Sequence, residues 1–186
     1  MKGKKVLVLT LAMALWGGTM IFADSATQAV KVMFNGSELQ ETGIMSDGKT
    51  YLPLRQVAQK MQALVVWDDS SKKASIVKPN VHMVLFDKDN SPFGYVKNKG
   101  TTSFSLLAQV DSLTAEVDSF RITITDPAGK ETVLATSATK KDNFFYLSKE
   151  IKYGFDSSGT YAIRFSLRLS PNDDWSVVSE KNITVG

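Results

Sequence analysis

The chain contains no cysteine among its 186 residues. Disulfide bonds, thiolate metal centres and lipid attachment through an N-terminal cysteine are therefore excluded. A small scaffold held together by cross-links is excluded for the same reason. Any stable domain in this chain must instead be held by an apolar core.

Histidine is nearly as scarce, because His82 is the only one. One imidazole cannot build a type-2 copper site, and the Gly-x-Ser-x-Gly motif of a serine hydrolase is absent. A pair of catalytic carboxylates is compatible with the composition, but a small β-domain has little room for a glycosidase cleft. We therefore predict a protein that is not an enzyme, with no catalytic residue, no metal site and no cofactor.

An excess of basic charge is missing once the N-terminus is set aside. Of the 22 lysines and arginines, Lys2, Lys4 and Lys5 stand at the start, and the remaining 19 equal the 19 acidic residues. A near-neutral chain does not present the basic surface that attracts nucleic acid or anionic lipid. We therefore expect no nucleic-acid partner.

The N-terminal lysines precede an apolar run that extends from Val6 to Trp16 and continues to Ala23. A basic segment followed by an apolar segment and small residues is typical of a secretory signal peptide. We expect residues 1–23 to be the signal peptide and the mature chain to be secreted or held at the cell surface. An uncleaved leader, which would be the chain's only contact with the membrane, is the alternative.

Residues 30–77 alternate between strand and helix patterns. The segment from Val30 to Phe34 has the period-two pattern of a half-buried strand. Two dipeptides that favour tight turns follow, Asn35-Gly36 and Asp47-Gly48. After Pro53, apolar residues with helical spacing predict one short amphipathic helix, and these residues are Leu54, Val57, Ala58 and Met61.

The same region ends in two predicted strands. Residues 63–67 are apolar on both faces, so we expect this strand to be deeply buried. A turn that begins at Asp68 leads to the last strand, at residues 74–77. The predicted order is therefore ββαββ within roughly fifty residues, a size that leaves a module marginal on its own.

In this order, the motifs resemble the copper amine oxidase N-terminal-like domain, a stalk domain of secreted bacterial proteins. The matching residues are Asn35, Gly36, Asp47, Gly48, Tyr51, Pro53, Leu54, Arg55, Trp67 and Asp68. The resemblance implies a stalk or attachment module at residues 28–79, without the copper-bearing catalytic domain. These residues are then structural, and we expect Arg55 to tie the helix to the sheet. Gln62 departs from the family pattern, which usually has glycine at the end of the helix.

Residues 80–186 have the pattern of one all-β domain. Seven strand-like segments with intervening turns occur at residues 81–86, 103–110, 120–125, 131–136, 143–148, 160–169 and 175–185. Tyr161, which follows the turn at residues 156–160, resembles the tyrosine corner of Ig-like and fibronectin-like domains. The predicted fold class is mainly β with one short helix, a ββαββ stalk-like module followed by an Ig-like antiparallel β-sandwich.

Phe144, Tyr146 and Trp175 are candidate interaction aromatics, because an exposed ring on a sandwich can stack on a sugar. Alternation along the strand places neighbouring rings on opposite faces, so packing in the core is the alternative. We predict a secreted, non-catalytic bacterial envelope protein that acts in adhesion, assembly or protein interaction. A carbohydrate-binding module for cell-wall or extracellular glycan is the alternative, and a homo-oligomer remains open.

Overall fold

The computed structural model describes residues 27–139 and 142–186. The predicted signal peptide, residues 1–23, lies outside the described residues. The elements, in chain order, are β1 (Gln28–Val30), β2 (Met33–Phe34), β3 (Ser37–Glu38), β4 (Gly43–Ser46), β5 (Lys49–Tyr51), α1 (Leu54–Lys60), β6 (Leu64–Asp68), β7 (Lys73–Val77), β8 (Asn80–Phe86), β9 (Tyr95–Val96), β10 (Gly100–Asp111), β11 (Ser119–Thr125), β12 (Glu131–Ala138), β13 (Phe144–Leu147), β14 (Ile151–Phe155), β15 (Gly159–Arg168) and β16 (Ser176–Val185). The chain divides into two compact units, one that ends at Pro53 and one that extends from Leu54 to Gly186.

Two tight hairpins shape the described part of the first unit. Asn35 and Gly36 link β2 to β3 with φ values of 48° and 80°, and Asp47 and Gly48 link β4 to β5 with 51° and 69°. Positive φ at both central positions is the conformation that Asn-Gly and Asp-Gly favour, so both turn predictions are confirmed. The strand predicted from Val30 to Phe34 is interrupted, because β1 pairs with β4 whereas β2 pairs with β3.

The second unit contains a β-sandwich. One sheet has the order β12-β11-β15-β16-β9, and its neighbours are antiparallel except for β9, which runs parallel to β16. In the other sheet, β10 pairs with β8 along one edge and with β13 and β14 along the other. The core residues lie between the sheets and include the aromatics Phe104, Phe155, Tyr161 and Phe165. The predicted fold class is confirmed.

The sequence did not reveal two strands of the sandwich. β9 has only two residues and exists because it pairs with the last strand, β16. Apolar residues occur at every second position of β14, as expected of a strand. However, Gly154 within the strand and the polar residues that precede Ile151 resemble a loop. Both strands depend on their pairing partners, which a local pattern cannot show.

The tyrosine corner is formed as predicted. The hydroxyl of Tyr161 donates to the carbonyl of Ser157 at 3.0 Å and accepts the Ser157 N–H at 3.1 Å. The ring is almost fully buried and makes edge contacts with Tyr153 and Phe155. This arrangement holds the start of β15 against the chain immediately before it.

The division of the chain at Pro53 separates α1, β6 and β7 from the preceding strands. Leu64 of β6 is 1% exposed and belongs to the sandwich core, and Val66 and Val77 pack against that core. The division therefore does not coincide with the predicted boundary between residues 28–79 and 80–186. The predicted boundary between the stalk-like domain and the sandwich domain, after residue 79, stays a prediction.

The expectation of a deeply buried strand at residues 63–67 is wrong for its second half. Among the described strands, β6 pairs only with β7, and burial decreases along it from Leu64 to Trp67, which is 50% exposed. The most completely buried strands are β11 and β15, which have a neighbour on each side. A continuous apolar run indicates burial only when a second layer covers each face.

Candidate functional site

A groove of about 520 Å³ opens on the surface of the second unit. Helix α1 contributes Arg55 and Gln59, β6 contributes residues 65–67, and the connection from β15 to β16 contributes Asp173 and Asp174. We call this the Trp67 groove. Its volume lies within the range of small-molecule sites, roughly 300–1,000 Å³.

The helix side of the Trp67 groove is fixed by a Schellman motif at the end of α1. The N–H of Gln62 donates to the carbonyl of Gln59 at 3.0 Å, and the N–H of Ala63 donates to that of Ala58 at 2.9 Å. Gln62 is left-handed, with a φ of 57°, where the family pattern usually has glycine. Ala58 and Ala63 are both fully buried. Both hydrogen bonds of the cap are formed although Gln62 replaces the usual glycine, and Gln62 is strained in the left-handed conformation.

The other side of the groove is held by Arg168. Its guanidinium donates to a carboxylate oxygen of Asp118 at 2.9 Å and to the carbonyl of Pro171 at 3.0 Å. Hydrogen bonds from the Ser119 hydroxyl and from Arg168 hold the pKa of Asp118 below its ordinary value. The arginine thus anchors the connection that carries the two groove aspartates.

Trp175 reinforces this anchor. The guanidinium carbons of Arg121 and Arg168 lie 4.9 Å and 4.7 Å from the centroid of its ring. Cation–π contacts of this kind are stabilising when they are partly shielded from water. Trp175 is half-buried and engaged by two cations, which favours a structural role over the predicted role as an interaction aromatic.

The turn after β6 is organised by Asp68, a motif residue. Its carboxylate accepts hydrogen bonds from both the hydroxyl and the N–H of Ser70 and of Ser71. These bonds, that from the Ser70 hydroxyl first, lower the pKa of Asp68 from 3.8 to about 2. Asp69 accepts from Lys72 at 2.7 Å and from the indole N–H of Trp67 at 3.4 Å. The turn therefore holds the indole N–H edge of Trp67 in place.

Arg55 does not make the predicted tie. It is exposed, and its guanidinium forms no ion pair or hydrogen bond with any residue in 27–139 or 142–186. It lies early in α1 and lines the Trp67 groove. The sequence could not show this, because the direction of a helical side chain depends on what packs against the helix.

The remaining apolar motif residues are also more exposed than a structural role suggests. Tyr51 is 53% exposed and pairs across the strands with Ile44, while Leu54 is 39% exposed. Pro53 directly precedes α1 and stops β5 from continuing, as expected of proline at a helix start.

A second surface feature is an apolar face on the sheet formed by β8, β10 and β13. Val84, Leu107 and Leu147 are directly opposite one another across the three strands. Phe145 lies beside this row, and Phe145 and Leu147 are 69% and 66% exposed. We call these four residues the Phe145 face.

The Phe145 face corrects the choice of interaction aromatics on β13. Phe144 and Tyr146 point inward, and their ring centroids lie 5.8 Å and 4.8 Å from that of Phe120 in the core. Phe145 points outward, opposite Gln109. Alternation predicts opposite faces, but only the position of the second sheet decides which face is covered.

The described residues contain neither a cluster of side chains suited to a metal ion nor a helix suited to span a membrane. No group of three or more His, Cys, Asp or Glu side chains there could hold a metal ion. His82 lies exposed on β8, opposite Gln109. Within residues 27–139 and 142–186, no helix has both the length and the hydropathy needed to cross a bilayer.

Comparison with known families identifies the N-terminal part of the fold. Residues 33–102 match the copper amine oxidase N-terminal domain. The resemblance in the sequence is therefore confirmed, and the match to the copper amine oxidase N-terminal domain extends beyond Val77 into β8, β9 and the start of β10. No curated protein matches the chain.

Solved structures resemble the chain only distantly. The CARDB domain of a Pyrococcus furiosus protein, in complex with di-metal ions, is 9% identical over 60% of this chain and 96% of its own, with a TM-score of 0.32. A β-glucosidase from Listeria innocua is 10% identical over 62% of this chain and 17% of its own, with a TM-score of 0.33. A marsupial T cell receptor is 14% identical over 91% of this chain and 66% of its own, with a TM-score of 0.33.

Proposed function

We propose that this protein is an exported, non-catalytic module of a bacterial envelope, which acts in adhesion or assembly by binding another protein. The match of residues 33–102 to the copper amine oxidase N-terminal domain supports a stalk-like part. The observation that carries the proposal is the Phe145 face, an apolar surface that nothing in the described chain covers.

The geometry of the Phe145 face favours a protein partner. Four apolar side chains from three neighbouring strands form one patch on a face of the sheet. Large exposed side chains such as Phe145 and Leu147 cost solubility, and a contiguous patch of them is typical of a contact surface. A partner with a complementary apolar face would remove both from water.

The edge of the sheet extends this surface. In the described part of the chain, β13 pairs with β10 on one side and with no strand on the other. Its free N–H and C=O groups are available to a strand of the partner, next to the exposed rings. The short length of β13, four residues, limits uncontrolled edge-to-edge association.

The experiment is co-sedimentation of the purified chain with isolated bacterial envelopes, before and after the envelopes are treated with protease. We expect a protease-sensitive fraction of the binding, and we expect Phe145→Ser with Leu147→Ser to remove that fraction. Val133→Ser is the matched control, because Val133 is 54% exposed on a strand of the other sheet. The proposal fails if the double variant binds as the original chain does, or if the chain hydrolyses an envelope polymer.

Export is tested separately by N-terminal sequencing of the chain recovered from the culture medium or cell surface. We expect a new N-terminus after Ala23 or Ala26, because small residues precede the cleavage site of a signal peptide. Recovery of the chain only from the cell interior, with Met1 or Lys2 still in place, would contradict the proposed export.

A further inference from the structure

We propose that the Trp67 groove binds a glycan chain of pyranose units with equatorial hydroxyls, with one ring stacked on the indole of Trp67. This site is separate from the Phe145 face and goes beyond the proposed function, because it assigns a second ligand of a different class. Three features of the groove favour such a ligand: the exposed ring of Trp67, the polar groups around it and the hydrogen bonds that hold its walls.

Trp67 offers a ring that is free to stack. It is 50% exposed, and its N–H is held at 3.4 Å by Asp69. Among the described residues, no aromatic ring or guanidinium lies on it, in contrast to Trp175, which has two arginines on its ring. The C–H face of a pyranose with equatorial hydroxyls is flat and apolar, and an exposed indole face complements it.

The polar groups of the groove match the hydroxyls of a sugar. Arg55 can only donate hydrogen bonds, Asp173 and Asp174 can only accept them, and Gln59 can do both. A sugar hydroxyl donates and accepts at the same time, so it can be satisfied by neighbours of both kinds. Two carboxylates and one guanidinium leave one net negative charge in the groove, which disfavours an anionic ligand and is compatible with a neutral polar one.

These side chains are not already committed to one another. Arg55 and Asp174 form no ion pair or side-chain hydrogen bond with the described residues. Polar groups that line a groove without protein partners keep their hydrogen-bonding capacity for a ligand or for water. A glycan would replace water at these groups while its ring covers the indole.

The groove is held in shape before any ligand arrives. The Schellman motif fixes the end of α1, the turn at Asp68 fixes the edge of Trp67, and Arg168 fixes the connection that carries Asp173 and Asp174. Less conformational entropy is lost when the binding groups are already in place.

The test is isothermal titration of the purified chain with two soluble probes, cellohexaose and N-acetylchitohexaose. Binding of either probe identifies the class, and the stronger one shows whether hexose or N-acetylhexosamine units are preferred. We expect Trp67→Ala to weaken binding at least about tenfold, which corresponds to about 1.4 kcal/mol. Trp67→Phe keeps an aromatic face and should recover part of that loss.

Phe145→Ala is the control variant, because it removes an exposed ring outside the groove and should leave glycan binding unchanged. Raising the salt concentration from about 0.05 to about 0.5 M should also have little effect, since a neutral ligand is not screened. Melting temperatures of all variants check that they fold.

Three outcomes would overturn the proposal. The first is that neither probe binds. The second is that Trp67→Ala and Phe145→Ala weaken binding equally, which would mean that the sugar does not bind specifically in the groove. The third is that high salt abolishes binding, which would indicate a charged ligand. A failure here is distinguishable from a failure of the proposed function, because the protease-sensitive binding depends on Phe145 and Leu147 and not on Trp67.

Discussion

Gln62 provides a direct test of how the helix end is stabilised. It is the residue after the helix in a Schellman motif and has a φ of 57°. Replacing it with glycine keeps both backbone hydrogen bonds, because they involve only N–H and carbonyl groups. The change removes the contact between Cβ and the backbone that makes left-handed conformations costly for other residues.

The magnitude follows from two opposing terms. Relief of the left-handed conformation contributes about 1–2 kcal/mol, and the greater freedom of glycine in the unfolded chain opposes it by about 0.5–1 kcal/mol. We therefore expect Gln62→Gly to raise the free energy of unfolding by about 0.5–1 kcal/mol. For a chain of this size, a gain of about 1 kcal/mol corresponds to a rise in Tm of about 2–4 °C.

Urea denaturation followed by circular dichroism measures the effect as a shift of the midpoint at constant slope. Lys60→Gly is the matched control, since it introduces the same residue two positions earlier, at the last residue of α1, where φ is not positive. It should destabilise the protein by about 0.5–1 kcal/mol, because glycine loses more conformational freedom than lysine in a helical conformation. If Gln62→Gly destabilises as Lys60→Gly does, the account of this helix cap is refuted.

Three further predictions concern the sandwich and the β6–β7 turn. Tyr161→Phe should lower the free energy of unfolding by about 1–1.5 kcal/mol, because it removes the corner hydrogen bonds; Tyr95→Phe, at an exposed ring, should leave the urea midpoint unchanged. Arg168→Met should cost about 1–3 kcal/mol and speed hydrogen exchange in the β15–β16 connection, and Arg168→Lys should recover only part of that, since lysine lacks the planar fork. Because the folded pKa of Asp68 is depressed from 3.8 to about 2, its stabilising contribution is present above pH 3.8 and is lost as the pH falls towards 2; urea midpoints across this range should therefore depend less on pH in Asp68→Asn, and an identical dependence would contradict the assignment.

Features that depend on a few adjacent residues could be predicted from the sequence. The turns at Asn35-Gly36 and Asp47-Gly48 are formed because positive φ is a local preference of these residues. The helix that begins at Leu54 and the corner at Tyr161 also follow local signals. In each case the pattern and its structural reason lie within about five residues.

The candidate sites could be predicted only in part. Trp67 was recognised as a motif residue, but its place in a groove depends on Asp173 and Asp174, which are more than a hundred residues away in the chain. Alternation along β13 shows that Phe145 faces the opposite way from Phe144 and Tyr146, but it does not show which of the two faces is exposed. Arg55 lies near the start of a short helix, but the sequence does not show that its side chain has no protein partner and lines the groove.

The sequence by itself determined the β-rich class, the tight turns, the short helix after Pro53 and the likeness to the copper amine oxidase N-terminal domain. Each of these depends on local conformational preference or on the spacing of apolar residues, which are properties of the unfolded chain as well. Only the tertiary structure decided that β6 is half-exposed, that Phe145 rather than Phe144 faces outward and that Arg168 anchors a groove wall. The physical reason is that burial and side-chain pairing are properties of two surfaces in contact, and the second surface comes from a distant part of the chain.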